Sequence, residues 1–342
     1  TPDAISMQRL LAEFVAEGSC QVALEASSHA LVQHRIKAVK IDIAIFTNLS
    51  RDHLDYHGSM AEYAAATRFL LCQPELAYVV LNVNDSEHKN WLANVPKTSF
   101  VVLYGHNRNN VDIPSCYKYC LANNVRYTAE GIAISVQSSW GDCELRLSLL
   151  AEFNISNVLA AICSQLCLGK SLKQIAYIVQ KLKPVAGRME LYKRQGHATI
   201  VVDYAHTPDA LDKALLASKQ HCHGKLFCVF GCGGDRDVGK RSLMGEIAER
   251  LSDQVILTDD NVRSENPQDI INDILAGCIN PERVLIEHDR KAAIKTAAAM
   301  ASAGDMILVA GKGHENYQVI GKQTLAYDER QFVALFQEGK SI

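Results

Sequence analysis

The sequence lacks any apolar run close to the roughly 20 residues that a membrane-spanning helix needs. It also lacks an excess of positive charge, because 35 lysines and arginines stand against 38 aspartates and glutamates, so no surface for nucleic acid is indicated. The opening residues TPDAISMQRL show neither an initiator methionine nor the basic start of a signal peptide. We therefore predict a cytoplasmic protein that binds neither membrane nor nucleic acid, and a chain that starts within a longer protein.

A Cys-x-x-Cys pair is also absent, although the chain has 11 cysteines. Near neighbours are four positions apart, as in Cys163 and Cys167, which lie in an apolar helical pattern. An odd, scattered set argues against a disulfide framework and against a zinc site, and it favours free thiols in a reducing compartment.

What the first half does contain is an alternation of short apolar runs and helical patterns, which is typical of a parallel sheet. The strand-like runs are 20–26, 41–50 and 77–85, and the helical patterns are 5–17 and 59–72. Period-two alternation on both sides of Trp140 predicts a hairpin, and two helical patterns follow it. We predict one domain over residues 1–182.

The alternation restarts after Pro184 and Gly187, which punctuate a linker. Strand-like runs and helical patterns then follow each other down to the run that ends at Gly311. We predict a doubly wound, Rossmann-like α/β domain over residues 183–342. Ligands bind such sheets at the carboxyl ends of the strands, so polar residues at those ends are the first candidates for chemistry.

Polar clusters follow several of these runs. Glu25 ends the run 20–26, His53 follows the run 41–50, and Asp203 and His206 follow the first strand of the second half. Oxygen ligands near phosphate suit Mg²⁺ better than a transition metal. Each cluster alone is equally compatible with a helix cap or a surface group.

Residues 234–240 have the glycine and lysine spacing of a phosphate-binding loop. The next residue is Arg241, where such a loop needs a serine or threonine hydroxyl for Mg²⁺. We therefore predict that this segment does not hold a nucleotide phosphate.

Eight segments occur in the order found in one enzyme family. They are EASSHALVQHR, TNLSRDHLDYHG, FNISN, AGRME, DYAHTPDAL, GCGGDRD, DDNVR and GKGHENYQ. On these segments the chain resembles the Mur ligases from residue 1 to about 330. The resemblance implies an incomplete central ATPase-type parallel-sheet domain, without its upstream phosphate loop, followed by a Rossmann-like C-terminal domain that binds the incoming amino acid.

The resemblance also implies an activity, namely ATP-dependent amide-bond formation through an acyl phosphate. It points to the branch that joins meso-2,6-diaminopimelate to UDP-MurNAc-L-Ala-D-Glu in peptidoglycan precursor synthesis, with ATP and Mg²⁺ as cofactors. A monomer is expected. Without the phosphate loop, this chain by itself is expected to bind weakly and not to turn over.

Residue by residue, the resemblance assigns candidate roles to four groups. The catalytic Mg²⁺ site takes Glu25 and His53. The ATP site takes Asn154, Asn157, Arg188, Asp203 and His206. UDP-MurNAc-dipeptide contacts fall on Thr1, Ser27, Gln33 and Arg35. Diaminopimelate contacts fall on Arg236, Asp260, Asn261, Arg263, Gly311 and Glu315.

Two positions depart from the family pattern. Thr67 stands where the family has a carbamylated lysine that coordinates Mg²⁺. A short neutral hydroxyl replaces a long anionic ligand there, so we expect weaker Mg²⁺ binding. Val262 replaces the proline of an Asp-Asn-Pro-Arg motif, and because valine lacks the ring that fixes φ, we expect a less pre-organised loop.

Three other functions fit parts of the sequence. A folylpolyglutamate synthetase-like ligase would share the architecture, but LVQHR and DDNVR argue against it. Thr67 and the missing phosphate loop are compatible with a non-catalytic remnant that binds a nucleotide or an amino acid. A dinucleotide dehydrogenase fits least, because FGCGGD lacks the Gly-x-Gly-x-x-Gly spacing.

Overall fold

The structure is a computed structural model that describes residues 1–50, 54–106, 113–128 and 130–340, without the side chains of residues 54 and 55. The chain forms two compact units. The first unit consists of residues 1–125, 134–145 and 155–179, and the second unit consists of residues 126–133, 146–154 and everything from residue 180 onward.

A six-stranded sheet carries the first half of the chain, in the order β1-β2-β3-β4-β5-β6. The strands are β1 (Ile43–Phe46), β2 (Tyr78–Asn82), β3 (Phe100–His106), β4 (Lys118–Thr128), β5 (Gly131–Ser138) and β6 (Gly141–Leu147). Strands β1 to β4 pair in parallel. Residues 79–81 are completely buried, which is why β2 is a continuous apolar run rather than an alternating one. The parallel sheet and the strands flanking Trp140 confirm the sequence-based prediction.

The described helices of the first half include both predicted patterns. They are α1 (Ala4–Ala16), α2 (Ser28–Val32), α3 (Leu54–His57), α4 (Met60–Arg68), α5 (His88–Ala93), α6 (Phe153–Cys167) and α7 (Leu172–Val179). A short 3-10 turn over Phe69–Cys72 extends α4, so the two together fill the predicted helical stretch.

The strand predicted over residues 20–26 is wrong. No regular structure forms there, and Val22 is 48% exposed. A strand needs a neighbour for its backbone hydrogen bonds, and none of the described strands pairs with this run. Glu25 therefore does not end a strand. It lies two residues ahead of Ser27, whose hydroxyl caps α2 by accepting from the amide of Ala30.

The second unit contains a six-stranded sheet in the order β11-β10-β9-β12-β8-β7 and a separate hairpin. The sheet strands are β7 (Glu190–Tyr192), β8 (Thr199–Asp203), β9 (Leu226–Phe230), β10 (Gln254–Leu257), β11 (Leu285–Ile286) and β12 (Met306–Ala310), and the hairpin strands are β13 (Tyr317–Ile320) and β14 (Gln323–Ala326). Within the six-stranded sheet, β7 runs antiparallel to its neighbour β8, and the other strands pair in parallel. The order β11-β10-β9-β12-β8 is that of a doubly wound sheet, as predicted.

Helices cover both faces of this sheet, as its two-sided burial requires. They are α8 (Pro208–His221), α9 (Gly239–Leu251), α10 (Pro267–Leu275), α11 (Arg290–Met300) and α12 (Glu329–Gln337). Helices α8, α9 and α10 pack into one hydrophobic core, and α11 and α12 pack into the other. Helix α8 begins as the sequence predicts, with Thr207 as N-cap and Pro208 in the first turn.

All eleven cysteines are free, and four of them are buried. The structure thus contains no disulfide among its described residues. Across the described ranges, no helix combines the length and the apolar composition needed to cross a bilayer.

His221 ends α8 and is buried inside the second unit. Its Nδ1 lies 2.7 Å from the carbonyl oxygen of Thr128, and its Nε2 accepts from the amide of Ala151 at 3.3 Å. The neutral ring with its proton on Nδ1 satisfies both bonds. Burial lowers the pKa of His221 below its ordinary value.

This histidine predicts an acid-sensitive fold. The folded pKa of His221 lies below the unfolded value of 6.5. The stabilisation that the neutral ring gives the fold is therefore complete above pH 6.5 and is lost as the pH falls toward the folded pKa. We expect the free energy of unfolding to fall between pH 7.5 and pH 5, and His221→Gln to flatten that fall. Urea unfolding at pH 7.5 and at pH 5 measures this change in the free energy of unfolding. The control variant is His223→Gln, because His223 is exposed. Equal slopes for the two variants would contradict the prediction.

Candidate active site

Three polar segments of the second unit meet at the carboxyl edge of its sheet. Residues 203–206 begin at the last residue of β8, residues 260–263 follow β10, and residues 311–315 follow β12. We call these residues the carboxyl-edge site. Parallel strands end at the same edge, and Ala310 at the end of β12 pairs with Asp203 at the end of β8.

Lys312 lies at the centre of this site and is completely buried. Its Nζ donates to Oδ1 of Asn261 at 2.8 Å and to Oε2 of Glu315 at 3.0 Å. Oδ1 of Asp260 is 3.7 Å away, and Nδ2 of Asn261 donates to Oε2 of Glu315 at 3.0 Å. Three predicted diaminopimelate contacts are therefore brought together around a lysine that the sequence analysis did not name.

Arg263 has a φ of 53°, in the left-handed region that arginine rarely adopts. The β13–β14 hairpin holds it there, since its amide donates to the carbonyl of Val319 at 3.1 Å and its carbonyl accepts from Gly321 at 2.7 Å. Its Nη1 donates to the carbonyls of Gly234 at 2.7 Å and Asn261 at 3.3 Å. Within the described parts of the chain, Nε and Nη2 have no hydrogen-bond partner, so one edge of the guanidinium remains for a carboxylate.

Val262 is 2% exposed and packs in the hydrophobic core of the second unit. Its neighbour Asn261 accepts a backbone hydrogen bond from Gly234 at 2.9 Å. Packing and hydrogen bonds therefore constrain this loop where the family pattern has a proline ring.

Arg236 is exposed and approaches Arg263 across a glycine. A Cβ on Gly233 would lie 2.9 Å from Nη1 of Arg263 and 3.7 Å from Cγ of Arg236. The two predicted arginines therefore flank the same backbone position, where a side chain would require the guanidinium of Arg263 to shift.

Arg188 and His206, both predicted for the ATP site, pack on the ring of Tyr204. The guanidinium of Arg188 is 4.8 Å from the ring centroid, and the rings of His206 and His314 lie at 4.6 and 4.8 Å. Gly187 permits this approach, because a Cβ there would come within 2.2 Å of the backbone nitrogen of His314. The linker motif AGRME thus lies against the GKGHE motif.

Asp203, expected near the ribose of ATP, has both carboxylate oxygens engaged within the protein. Oδ2 accepts from the amide of Met189 at 2.7 Å, and Oδ1 accepts from the amide of Ala205 at 2.8 Å. Burial raises the pKa of Asp203, while these two amides favour the carboxylate. Its described contacts fasten the linker to the end of β8, and a ribose could use only the remaining lone pairs.

The segment that resembles a phosphate loop has a structural use. Arg241 is buried, and its Nη1 donates to the carboxylates of Glu265 and Asp273 at 2.8 Å each. Lys240 donates to the carbonyl of His206 at 2.7 Å. The arginine that replaces the expected hydroxyl is therefore an internal ion-pair partner.

Four residues predicted to contact the sugar nucleotide form one hydrogen-bonded chain in the first unit. The hydroxyl of Thr1 donates to the carbonyl of Glu25 at 2.6 Å and accepts from the amide of Ser27 at 3.1 Å. Arg35 donates from Nη1 to the carbonyl of Thr1 at 3.0 Å and from Nε to Oε1 of Gln33 at 2.9 Å. The structure thus brings these four residues together.

The paired asparagines lie in the first turns of α6, three residues apart and on one face, as the sequence predicts. Asn154 donates from Nδ2 to the carbonyl of Leu150 at 2.6 Å. Asn157 is exposed.

The expected magnesium site lies only partly within the described residues, because His53 is outside them. Glu25 is exposed and offers a carboxylate. The hydroxyl of Thr67 donates to the carbonyl of Ala64 in its own helix at 2.8 Å. No three His, Cys, Asp or Glu residues of the described ranges are grouped to hold a metal ion. Glu25 suits Mg²⁺, but Thr67 does not, so these residues alone do not form a magnesium site.

Behind the site lies a buried ion pair that the sequence analysis also did not find. Arg290 pairs with Glu329 and donates from Nη2 to the carbonyl of Ala310 at 2.7 Å, immediately before Gly311. A Cβ on Gly311 would come within 2.7 Å of Oδ2 of Asp260. The sequence signal for this region was a lysine between two glycines directly after an apolar strand.

Two protein-family models match the chain. The Mur ligase middle domain matches residues 1–165, and the domain described as Mur ligase, glutamate ligase domain matches residues 187–313.

Solved structures agree with this match. A structure of UDP-N-acetylmuramoyl-L-alanyl-D-glutamate--2,6-diaminopimelate ligase is 37% identical with a TM-score of 0.76, and the match covers 100% of this chain and 69% of that chain. UDP-N-acetylmuramate-alanine ligase from Thermotoga maritima is 18% identical with a TM-score of 0.60, covering 89% and 61% of the two chains. Folylpolyglutamate synthase from Mycobacterium tuberculosis is 17% identical with a TM-score of 0.59, covering 80% and 62%. The last two show likeness of fold alone. The chain therefore belongs to the Mur ligase family, whose members are ATP-dependent ligases that form amide bonds.

Proposed function

We propose that this chain carries the amino-acid-binding part of a ligase that joins meso-2,6-diaminopimelate to UDP-MurNAc-L-Ala-D-Glu. The observation that carries the proposal is the carboxyl-edge site, where Arg263 presents a guanidinium edge and Glu315 a carboxylate. Diaminopimelate has two carboxylates and two ammonium groups. The guanidinium fork would bind the carboxylate that L-lysine lacks, and Glu315 would bind an ammonium group. The name of the 37%-identical relative supports this substrate.

The other proposed substrates would meet the remaining predicted residues. UDP-MurNAc-L-Ala-D-Glu would bind at the hydrogen-bonded chain from Thr1 to Arg35. ATP would bind near Asn154 and Asn157, with Arg188 neutralising phosphate charge. In the proposed reaction the D-Glu carboxylate takes the γ-phosphoryl group of ATP and ADP leaves. The deprotonated amine of diaminopimelate then attacks the acyl carbon, and the amide forms as phosphate leaves and the nitrogen releases a proton to solvent. We place this step in cytoplasmic peptidoglycan precursor synthesis.

Calorimetric titration of the chain with meso-diaminopimelate and with L-lysine tests the proposal. One charge-assisted interaction contributes about 1.5–3 kcal/mol, so diaminopimelate should bind roughly 10- to 150-fold more tightly than lysine. Tetrahydrofolate provides the contrast with a folylpolyglutamate synthetase-like ligase. Equal affinities for the two amino acids, or protection from heat by the folate alone, would contradict the proposal.

A second candidate, a protein that binds these ligands without ligating them, is favoured by Thr67, because its hydroxyl points back into its own helix. We expect Thr67→Lys, in the presence of bicarbonate, to tighten binding of Mn²⁺ as a magnesium probe by about tenfold, since an added anionic ligand raises affinity. Thr67→Val is the matched control and should leave binding unchanged. Identical Mn²⁺ titrations for wild type and Thr67→Lys would reject the view that this position limits metal binding.

A further inference from the structure

Lys312 is the one lysine of the described residues whose side chain is completely buried. Burying an ammonium group is costly unless it is paired and hydrogen-bonded. Here Nζ has Asn261 and Glu315 as acceptors, and the ring of Tyr317 lies 5.3 Å away. A charge maintained at this depth, with both hydrogen-bond acceptors in one predicted binding site, indicates a role in that site.

The contacts of Glu315 show what Lys312 does to it. Oε2 accepts from Nζ of Lys312 and from Nδ2 of Asn261, both at 3.0 Å. From the residues that the structure describes, Oε1 accepts only a long hydrogen bond, 3.4 Å from the hydroxyl of Tyr204. One oxygen is thus held by two donors, and the other keeps most of its capacity for an incoming donor.

Charge balance leads to the same assignment. Asp260 and Glu315 contribute two negative charges on either side of the single positive charge of Lys312. The three groups together carry one net negative charge, which matches one ligand ammonium. Without Lys312, two carboxylates would share a poorly solvated site and repel each other.

We infer that Lys312 is a positioning residue that determines specificity. It holds Oε2 of Glu315 so that Oε1 receives the second ammonium group of a diamino diacid. Lys312 itself does not touch the ligand. The inference rests on the proposed function, because it assigns the ligand ammonium to Glu315.

Binding of two ligands to the complete 342-residue chain tests this. The first is meso-diaminopimelate, and the second is 2-aminopimelate, which has the same two carboxylates and one amine fewer. Wild type should prefer the diamine by roughly 10- to 150-fold. Lys312→Met should bring that ratio to within about threefold of unity, while its affinity for 2-aminopimelate stays within about threefold of wild type. Lys322→Met, at an exposed lysine of the hairpin turn, is the control and should keep the ratio.

If Lys312 has a purely structural role, its loss should weaken binding of both ligands equally. An unchanged ratio of the two affinities in Lys312→Met therefore overturns the inference. Should that variant fail to fold, Lys312→Met combined with Glu315→Gln removes the unpaired charge and is compared with Glu315→Gln alone. If Lys312 acts through Glu315, the affinity ratio of the double variant differs from that of Glu315→Gln alone by less than about twofold. A further loss of preference larger than this overturns the inference. If wild type does not prefer diaminopimelate to L-lysine, the proposed function itself fails. If wild type does prefer diaminopimelate but Lys312→Met keeps the wild-type ratio, only the role inferred for Lys312 fails.

Discussion

Replacing Arg290 with methionine should lower the free energy of unfolding by about 3–5 kcal/mol. The side chains of Arg290 and Glu329 are both completely buried and form an ion pair. Without the guanidinium, the one hydrogen-bond donor left to the carboxylate of Glu329 among the described residues is the hydroxyl of Tyr327 at 3.0 Å. A buried carboxylate without a counter-charge is among the most destabilising changes a core can undergo.

Urea unfolding followed by circular dichroism measures this change. Lys213→Met is the matched control, because its ion pair with Asp209 at 2.8 Å is exposed and should contribute less than about 1 kcal/mol. Combining Arg290→Met with Glu329→Leu should recover most of the loss, since neither charge is then left unpaired. A loss below about 1 kcal/mol for Arg290→Met alone would show that the pair is not the support we describe.

This ion pair also supports the carboxyl-edge site. Nη2 of Arg290 donates to the carbonyl of Ala310, the last residue of β12. The next residues are Gly311 and Lys312, so the guanidinium holds the end of β12, where residues 311–315 of the site begin. The stability of the second unit and the geometry of its site are therefore coupled through one side chain.

The second half of the chain was predictable from its sequence because its apolar runs alternate regularly with helical patterns and each of these runs pairs in the sheet. Apolar runs, Thr207 as a cap and Pro208 in a first turn all agree there with the final fold. The run 20–26 was not predictable in the same way. Its apolar character suggested a buried strand, but whether a strand forms depends on a neighbour, and Val22 remains largely exposed.

The residues of the candidate site were predicted chiefly from the family resemblance. The position of polar residues at strand ends would have indicated only some of them. Position at a strand end drew attention to Asp203 and His206, and the structure places both at the end of β8. A lysine between two glycines, by contrast, is typical of a solvated loop, so Lys312 was missed. Its burial depends on Asn261, 51 residues away in the sequence, and such contacts are set by topology and not by local pattern.

The change with the largest expected effect on ligand choice is Arg263→Lys. It should reduce the preference for meso-diaminopimelate over L-lysine from roughly 10- to 150-fold to within about threefold. Nη1 of Arg263 is used to hold the carbonyls of Gly234 and Asn261, and the opposite edge of the guanidinium is the part that would bind a carboxylate. Lysine has a single nitrogen, so it cannot hold the loop and offer a two-pronged fork at once.

The fold should survive this substitution, because lysine and arginine share the same backbone and Cβ and therefore meet the same strain at a φ of 53°. Arg283→Lys, at an exposed position, is the matched control and should leave both affinities unchanged. Calorimetric titration of both ligands against the three proteins gives the ratio directly. If Arg263→Lys keeps the wild-type preference, the discriminating carboxylate is bound elsewhere, and the exposed guanidinium of Arg236 becomes the group to test, since it flanks the same glycine.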